Sequence, residues 1–137
     1  MRKSVLTILL GVAVLWSAGP ASAIVYGWNV GDAERAAGKQ LFADHCGTCH
    51  GRAGVAKGFA PSLVGVIGRR AGSAPGFPYS EQLKKSGIVW SEDIMLKWIA
   101  NAPGTVPGTP MPHVSITDPV ERLYIFEYLK TVSRGKE

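Results

Sequence analysis

Three stretches of the chain place apolar residues at helical spacing, and the long stretches between them do not. From Asp32 to about Cys46 the small and apolar set Ala33, Ala36, Ala37, Leu41 and Phe42 follows a helical period, with Asp32 placed to cap the free amides of the first turn. Ser91 is the matching cap of a second helix, Glu92 to about Ala100, whose first turn carries Glu92 and Asp93 where the helix dipole favours negative charge. A last helix runs from Pro119, a favourable first-turn residue, to about Val132, presenting Leu123, Phe126 and Leu129 with Tyr124 and Tyr128. Residues 51–79 are crowded with glycine and proline, and Pro103, Pro107, Pro110 and Pro112 forbid regular structure after the second helix. No segment sustains a strand pattern. The prediction is an all-α domain of three main helices and long loops, and so much loop in a small domain calls for something large to fill the middle.

The amino terminus stands apart from this pattern. Met1-Arg2-Lys3 leads into an apolar run from Val5 to Trp16 and then into Gly19-Pro20-Ala21-Ser22-Ala23. A basic start, an apolar stretch and a small-x-small ending match a secretory signal cleaved after Ala23. An uncleaved membrane anchor is the rival, but a span wants about 20 predominantly apolar residues, and Gly19, Pro20 and Ser22 interrupt the run. The expectation is therefore a removed segment 1–23 and one domain, 24–137, working in the periplasm. With 137 residues, 46% of them hydrophobic and 18% charged, the chain is neither disordered nor long enough for two full domains. Of its formal net charge of +5, Arg2 and Lys3 contribute two units, which leaves +3. No basic run exceeds two residues, so nucleic-acid binding loses its support.

The chemistry concentrates in Cys46-Gly47-Thr48-Cys49-His50, the Cys-x-x-Cys-His signature of covalent haem attachment. Two thiols three residues apart on a helical turn reach both vinyl groups along one porphyrin edge, and the adjoining imidazole falls beneath the ring. A thioredoxin-like site lacks its βαβ context here, and a zinc site needs a fourth ligand. A disulfide across so short a loop contributes little. This reading gives one haem c per chain, held through Cys46 and Cys49, with iron bound by His50. For the second axial position the chain offers Met95, Met111, His45 and His113. Met95 sits among apolar neighbours of the second helix, where a core role is the plain reading. Met111 lies in the proline-rich loop, His113 is a harder ligand two residues on, and His45 directly precedes Cys46.

Several strings in order now resemble the class I c-type cytochromes, the family of mitochondrial cytochrome c and bacterial cytochrome c2. They are Gly31-Asp-Ala-Glu, the haem motif, Ala60-Pro-Ser-Leu63, Gly65-Val-Ile-Gly-Arg69, Ala74-Pro-Gly-Phe-Pro-Tyr79, Trp90 and Pro107-Gly-Thr-Pro-Met111, spanning Gly31 to about Lys130. The resemblance implies the cytochrome c fold, three main helices around one covalently bound haem. It assigns the second axial bond to Met111 and gives the Pro61 carbonyl the other N–H of His50. It places Arg69, Tyr79 and Trp90 on the haem propionates, with Ser80 and Thr109 as lesser partners and Arg70 facing solvent. Trp98 is expected flat against the ring, and Gly38 and Phe42 against the last helix near Ile125 and Tyr128. With both axial positions filled, the iron is closed to oxygen and peroxide, and one-electron transfer remains.

The expected function is that of a monomeric periplasmic carrier, not an enzyme, which passes electrons between a redox protein donor and acceptor, membrane respiratory complexes among the candidates. The alternatives are a dedicated haem subunit of a periplasmic dehydrogenase or oxidase complex and, less favoured, a haem peroxidase or gas-binding cytochrome. Three departures from the family bear on the partner. Pro103-Gly104-Thr105-Val106 and Pro110 stand where relatives carry lysines, His113 replaces an aromatic, and Leu83 takes a position that is usually polar. They predict an apolar docking patch of prolines, Val106 and His113.

Overall fold

Short polar side chains set where the helices begin. In the computed structural model, which describes residues 30–52, 54, 59–111 and 114–135, the Ser91 hydroxyl accepts from the Ile94 amide at 3.4 Å. The Asp118 carboxylate accepts from the amides of Val120 at 2.7 Å and Glu121 at 3.4 Å. Each such cap contributes about 1 kcal/mol. The elements are α1 (Val30–His45), α2 (Gly47–His50), α3 (Glu81–Lys85), α4 (Glu92–Ala100), α5 (Ala102–Thr105) and α6 (Pro119–Ser133). Among the described residues the only β pairing is an isolated antiparallel bridge between Arg70 and Val89. The fold is all-α, as the pattern predicts. The signal segment 1–23, the start of the domain at residue 24 and His113 lie outside the described residues.

Four expectations are corrected. The first helix begins at Val30, so Asp32 lies inside its first turn, where it pairs with Arg35 at 2.6 Å. Leu123 is 40% exposed, and α6 turns Ile125, Phe126, Tyr128, Leu129 and Val132 inward instead. Pro103 does not end regular structure, because a missing amide is harmless in the first turn of the short α5, which Asn101 caps through the Gly104 amide at 2.9 Å. Val106 is only 4% exposed and belongs to the core rather than to a surface patch.

The frame is the crossing of α1 on α6, with α4 packed against α5 and α6. Phe42, fully buried, meets the Tyr128 ring at 5.3 Å between centroids. One turn earlier, Gly38 lets the two backbones touch. A Cβ at this position would collide with the Tyr124 carbonyl oxygen, and would lie 2.6 Å from its carbon and 3.2 Å from the Tyr128 Cβ. Backbone atoms cannot swing aside, so Gly38→Ala is expected to cost about 3 kcal/mol or more and to lower the melting temperature sharply. A thermal melt within a few degrees of wild type would show that the crossing yields more easily than the contacts imply.

Candidate functional site

The haem motif is displayed by a single turn of helix. After α1 ends at His45, the Cys46 amide still donates to the Phe42 carbonyl at 2.8 Å, and the His50 amide donates to the Cys46 carbonyl at 2.9 Å. Cys46, Cys49 and His50 therefore sit at one-turn spacing. Gly51, at φ 74°, then breaks the helix immediately after the imidazole, a left-handed backbone that suits glycine. The His50 Nδ1 donates to the Pro61 carbonyl at 2.9 Å. That bond selects the tautomer whose lone pair is on Nε2. Burial holds the His50 pKa below the ordinary imidazole value, with the Pro61 bond partly opposing it, so the ring is a neutral ligand at pH 7.

These groups open on a cavity of about 230 Å³. Every predicted site residue reaches its wall: Cys46, Cys49, His50, Pro61, Arg69, Tyr79, Ser80, Trp90, Trp98, Thr109 and Met111. Met95 does so too, at 4% exposure, so its core position is also a wall position. His45 is exposed and touches the rim. The rest of the wall, including Leu63, Val66, Phe77, Leu83 and Val114, was not singled out as site-forming by the sequence. These residues lie mostly in irregular segments, where no period marks an inward face. Their one signal was an excess of apolar side chains in stretches too rich in glycine for regular structure.

Polar character gathers at one part of the wall. Arg69 donates to the carbonyls of Val64 at 2.8 Å and Ser62 at 3.3 Å. It also approaches Tyr79: burial pushes that phenol's pKa up, while the guanidinium holds it partly back. The Trp90 amide donates to the Arg69 carbonyl at 3.0 Å, and its ring meets Trp98 edge-on at 5.1 Å. Arg70 is exposed, as expected. On the loop after α5 the Thr109 hydroxyl accepts from the Met111 amide at 3.3 Å and helps shape the turn that brings that thioether to the wall.

The chemistry of this lining suits a haem. A flat porphyrin wants apolar walls, one end with donors for its carboxylates, two thiols along an edge, and axial donors among imidazole and thioether. All are present. The thiol readings are weaker. Burial and the neighbouring Cys49 push the Cys46 thiol up to about 11, so it is not the ready thiolate of a redox pair or a zinc site. No group of three or more His, Cys, Asp or Glu placed to hold a metal ion occurs among the described residues.

Known proteins point the same way. The family model described as Cytochrome c matches residues 35–133. Cytochrome c2 of Rhodopila globiformis is 43% identical over 95 residues, 69% of this chain and 90% of its own length. Cytochrome c2 of Rhodomicrobium vannielii is 35% identical over 130 residues, 94% of this chain and 96% of its own. Cytochrome cH from Methylobacterium extorquens, a solved structure, superposes with a TM-score of 0.66 at 41% identity, covering 71% of this chain and 97% of that one.

Proposed function

Because the chain belongs to the cytochrome c family, and so is an electron carrier with one covalent haem c, we propose that Cys46 and Cys49 form its thioethers and His50 and Met111 its axial bonds. The haem, when bound, supplies reversible one-electron chemistry at iron. The observation that carries the assignment is the convergence of both thiols, the neutral imidazole and the Met111 thioether on one cavity wall.

The protein's own contribution is positional. The Pro61 carbonyl fixes the plane and tautomer of His50 and raises its basicity. Met111, half-buried on a loop that Thr109 hydrogen-bonds, would give a bound haem iron a soft second ligand beside His50 and so leave it no free position for a substrate. That supports a carrier over a peroxidase or gas-binding protein. Arg69, already oriented by two carbonyls, retains donors for a propionate, and Tyr79 and Trp90 stand beside it. Ser80 and Thr109 add hydroxyls to the same wall, and Trp98 adds a flat apolar face. We assign the working compartment to the periplasm on the signal pattern of residues 1–23, and read the protein as a monomeric carrier between a donor and an acceptor protein. Among the described residues no helix is long and apolar enough to cross a membrane.

The absorption spectrum of ferric holoprotein tests the axial pair. A weak band at the red edge of the visible, lost on reduction, is expected for sulfur ligation. A spectrum of two nitrogen ligands would move the role to His113, and high-spin features would mean an open iron. Arg69→Met is expected to lower the reduction potential by the equivalent of about 1 kcal/mol, since a positive charge near the haem disfavours the ferric state. An unchanged potential in voltammetry would remove Arg69 from the propionates.

A further inference from the structure

The last turn of α6, like the end of any helix, has backbone carbonyls without partners inside the helix. Two of them turn back on the chain that follows: Thr131 accepts from the Arg134 amide at 3.1 Å and Val132 from the Gly135 amide at 3.0 Å. Ser133 faces elsewhere. Its carbonyl accepts from the Gly65 amide at 2.9 Å, and its half-buried side-chain hydroxyl accepts from the Ile67 amide at 3.0 Å. One residue at the end of α6 thus grips two amides of a loop far away in the chain.

That loop carries Arg69, the arginine of the cavity wall. Its guanidinium is oriented by the carbonyls of Ser62 and Val64, and it lies over Gly65, where an added Cβ would be 3.7 Å from Nη1. The side chain therefore folds back over its own loop, and Ser133 holds the middle of that loop. Turn bonds from the Val66 amide to Leu63 and from the Arg69 amide to Val66 shape the loop from within, and the Trp90 amide holds its far end at the Arg69 carbonyl. Ser133 adds an anchor in α6, which is packed on α1 as part of the helical frame. Precise placement of a charge needs such a rigid support. Without the hydroxyl, the Ile67 amide loses its acceptor, and the loop can regain one only by shifting or by admitting water.

We propose that Ser133 is a positioning residue for the haem's electrostatics: by fixing Ile67 to α6, its hydroxyl holds Arg69 where the guanidinium charge raises the reduction potential. Ser133 does not line the cavity and acts through Arg69. The influence of a charge at iron falls with distance and with the water that enters between them, so a small displacement of the guanidinium is felt. This rests on the reading of Arg69 as a propionate partner and adds the residue that sets where Arg69 stands.

Voltammetry of holoprotein tests it. Ser133→Ala is expected to lower the potential in the same direction as Arg69→Met and by about half as much, because the arginine keeps its charge and loses its place. Ser133→Thr retains the hydroxyl and should keep the wild-type potential. In the Arg69→Met background, Ser133→Ala is expected to produce no further fall, since no guanidinium remains to be displaced. If Ser133→Ala does not assemble, Ser133→Cys, with a weak acceptor in the same place, stands in for it with a smaller fall. The red-edge band should persist in every serine variant. An unchanged potential in Ser133→Ala or its stand-in, or an equal fall in Ser133→Thr, overturns the proposal. So does the same fall in both backgrounds, which would mean that the loosened loop merely lets water reach the haem. Loss of the red-edge band also overturns it, since the clamp would then serve Met111. The Arg69 reading fails separately: in that case Arg69→Met alone leaves the potential where it was, and the proposal falls with it.

Discussion

Replacing Met111 by alanine is expected to open the second axial position and lower the reduction potential by on the order of a few hundred millivolts. A thioether stabilises ferrous iron, and alanine offers nothing in its place. The other thioether on the wall does not substitute readily. Met95 sits in α4, its amide donating to the Ser91 carbonyl at 2.9 Å, and it is 4% exposed among packed neighbours. Turning its side chain toward a new ligand position would give up that packing. Met111→Ala should therefore lose the red-edge band, bind cyanide or imidazole rapidly, and show more peroxidase activity than wild type. Retention of sulfur ligation in the variant would make Met95 the ligand and refute the assignment to Met111.

The double replacement Cys46→Ala and Cys49→Ala is expected to leave a chain without covalent haem that is largely unfolded. A cavity of about 230 Å³ costs on the order of 5 kcal/mol when nothing fills it. Domains of this size are stable by only about 5–15 kcal/mol in total. Many of the residues that would have to close over the gap are held in loops by turn and cross-loop hydrogen bonds, which a collapse would have to break, so it cannot recover the loss cheaply. Far-UV circular dichroism should show most of the helix gone, with no cooperative melt. A compact chain that melts cooperatively without haem would show that α1, α4 and α6 carry the fold unaided.

The helices were legible because their signals are local. Ser91 and the run Glu92–Ala100 place cap, dipole and apolar face within ten positions, and the observed boundaries of α4 agree. Where the signal depended on neighbours it failed: Leu123 has the spacing of a core residue on α6, yet α6 meets Gly38 of α1 through Tyr124 and Tyr128, and Leu123 is left 40% exposed. Val106 was expected at the surface because it falls where relatives carry lysines, yet directly after α5 it is 4% exposed and part of the core. The short α3 and α5 fall below the length at which a helical period can be recognised.

By itself, the sequence determined the haem chemistry and the helical class. Cys46, Cys49 and His50 are adjacent in the chain, so one turn of helix suffices to bring them together, and covalent attachment needs no distant residue. Recognised strings added Met111, Pro61 and the propionate partners as expectations. The tertiary structure decided the rest: that these residues share one cavity, that Leu83 and Val114 help to wall it, and that Phe59 stands uncovered at its mouth. Those facts depend on how loops without a period fold back over one another. Their conformation is set by packing around a common centre, so no window of sequence contains it.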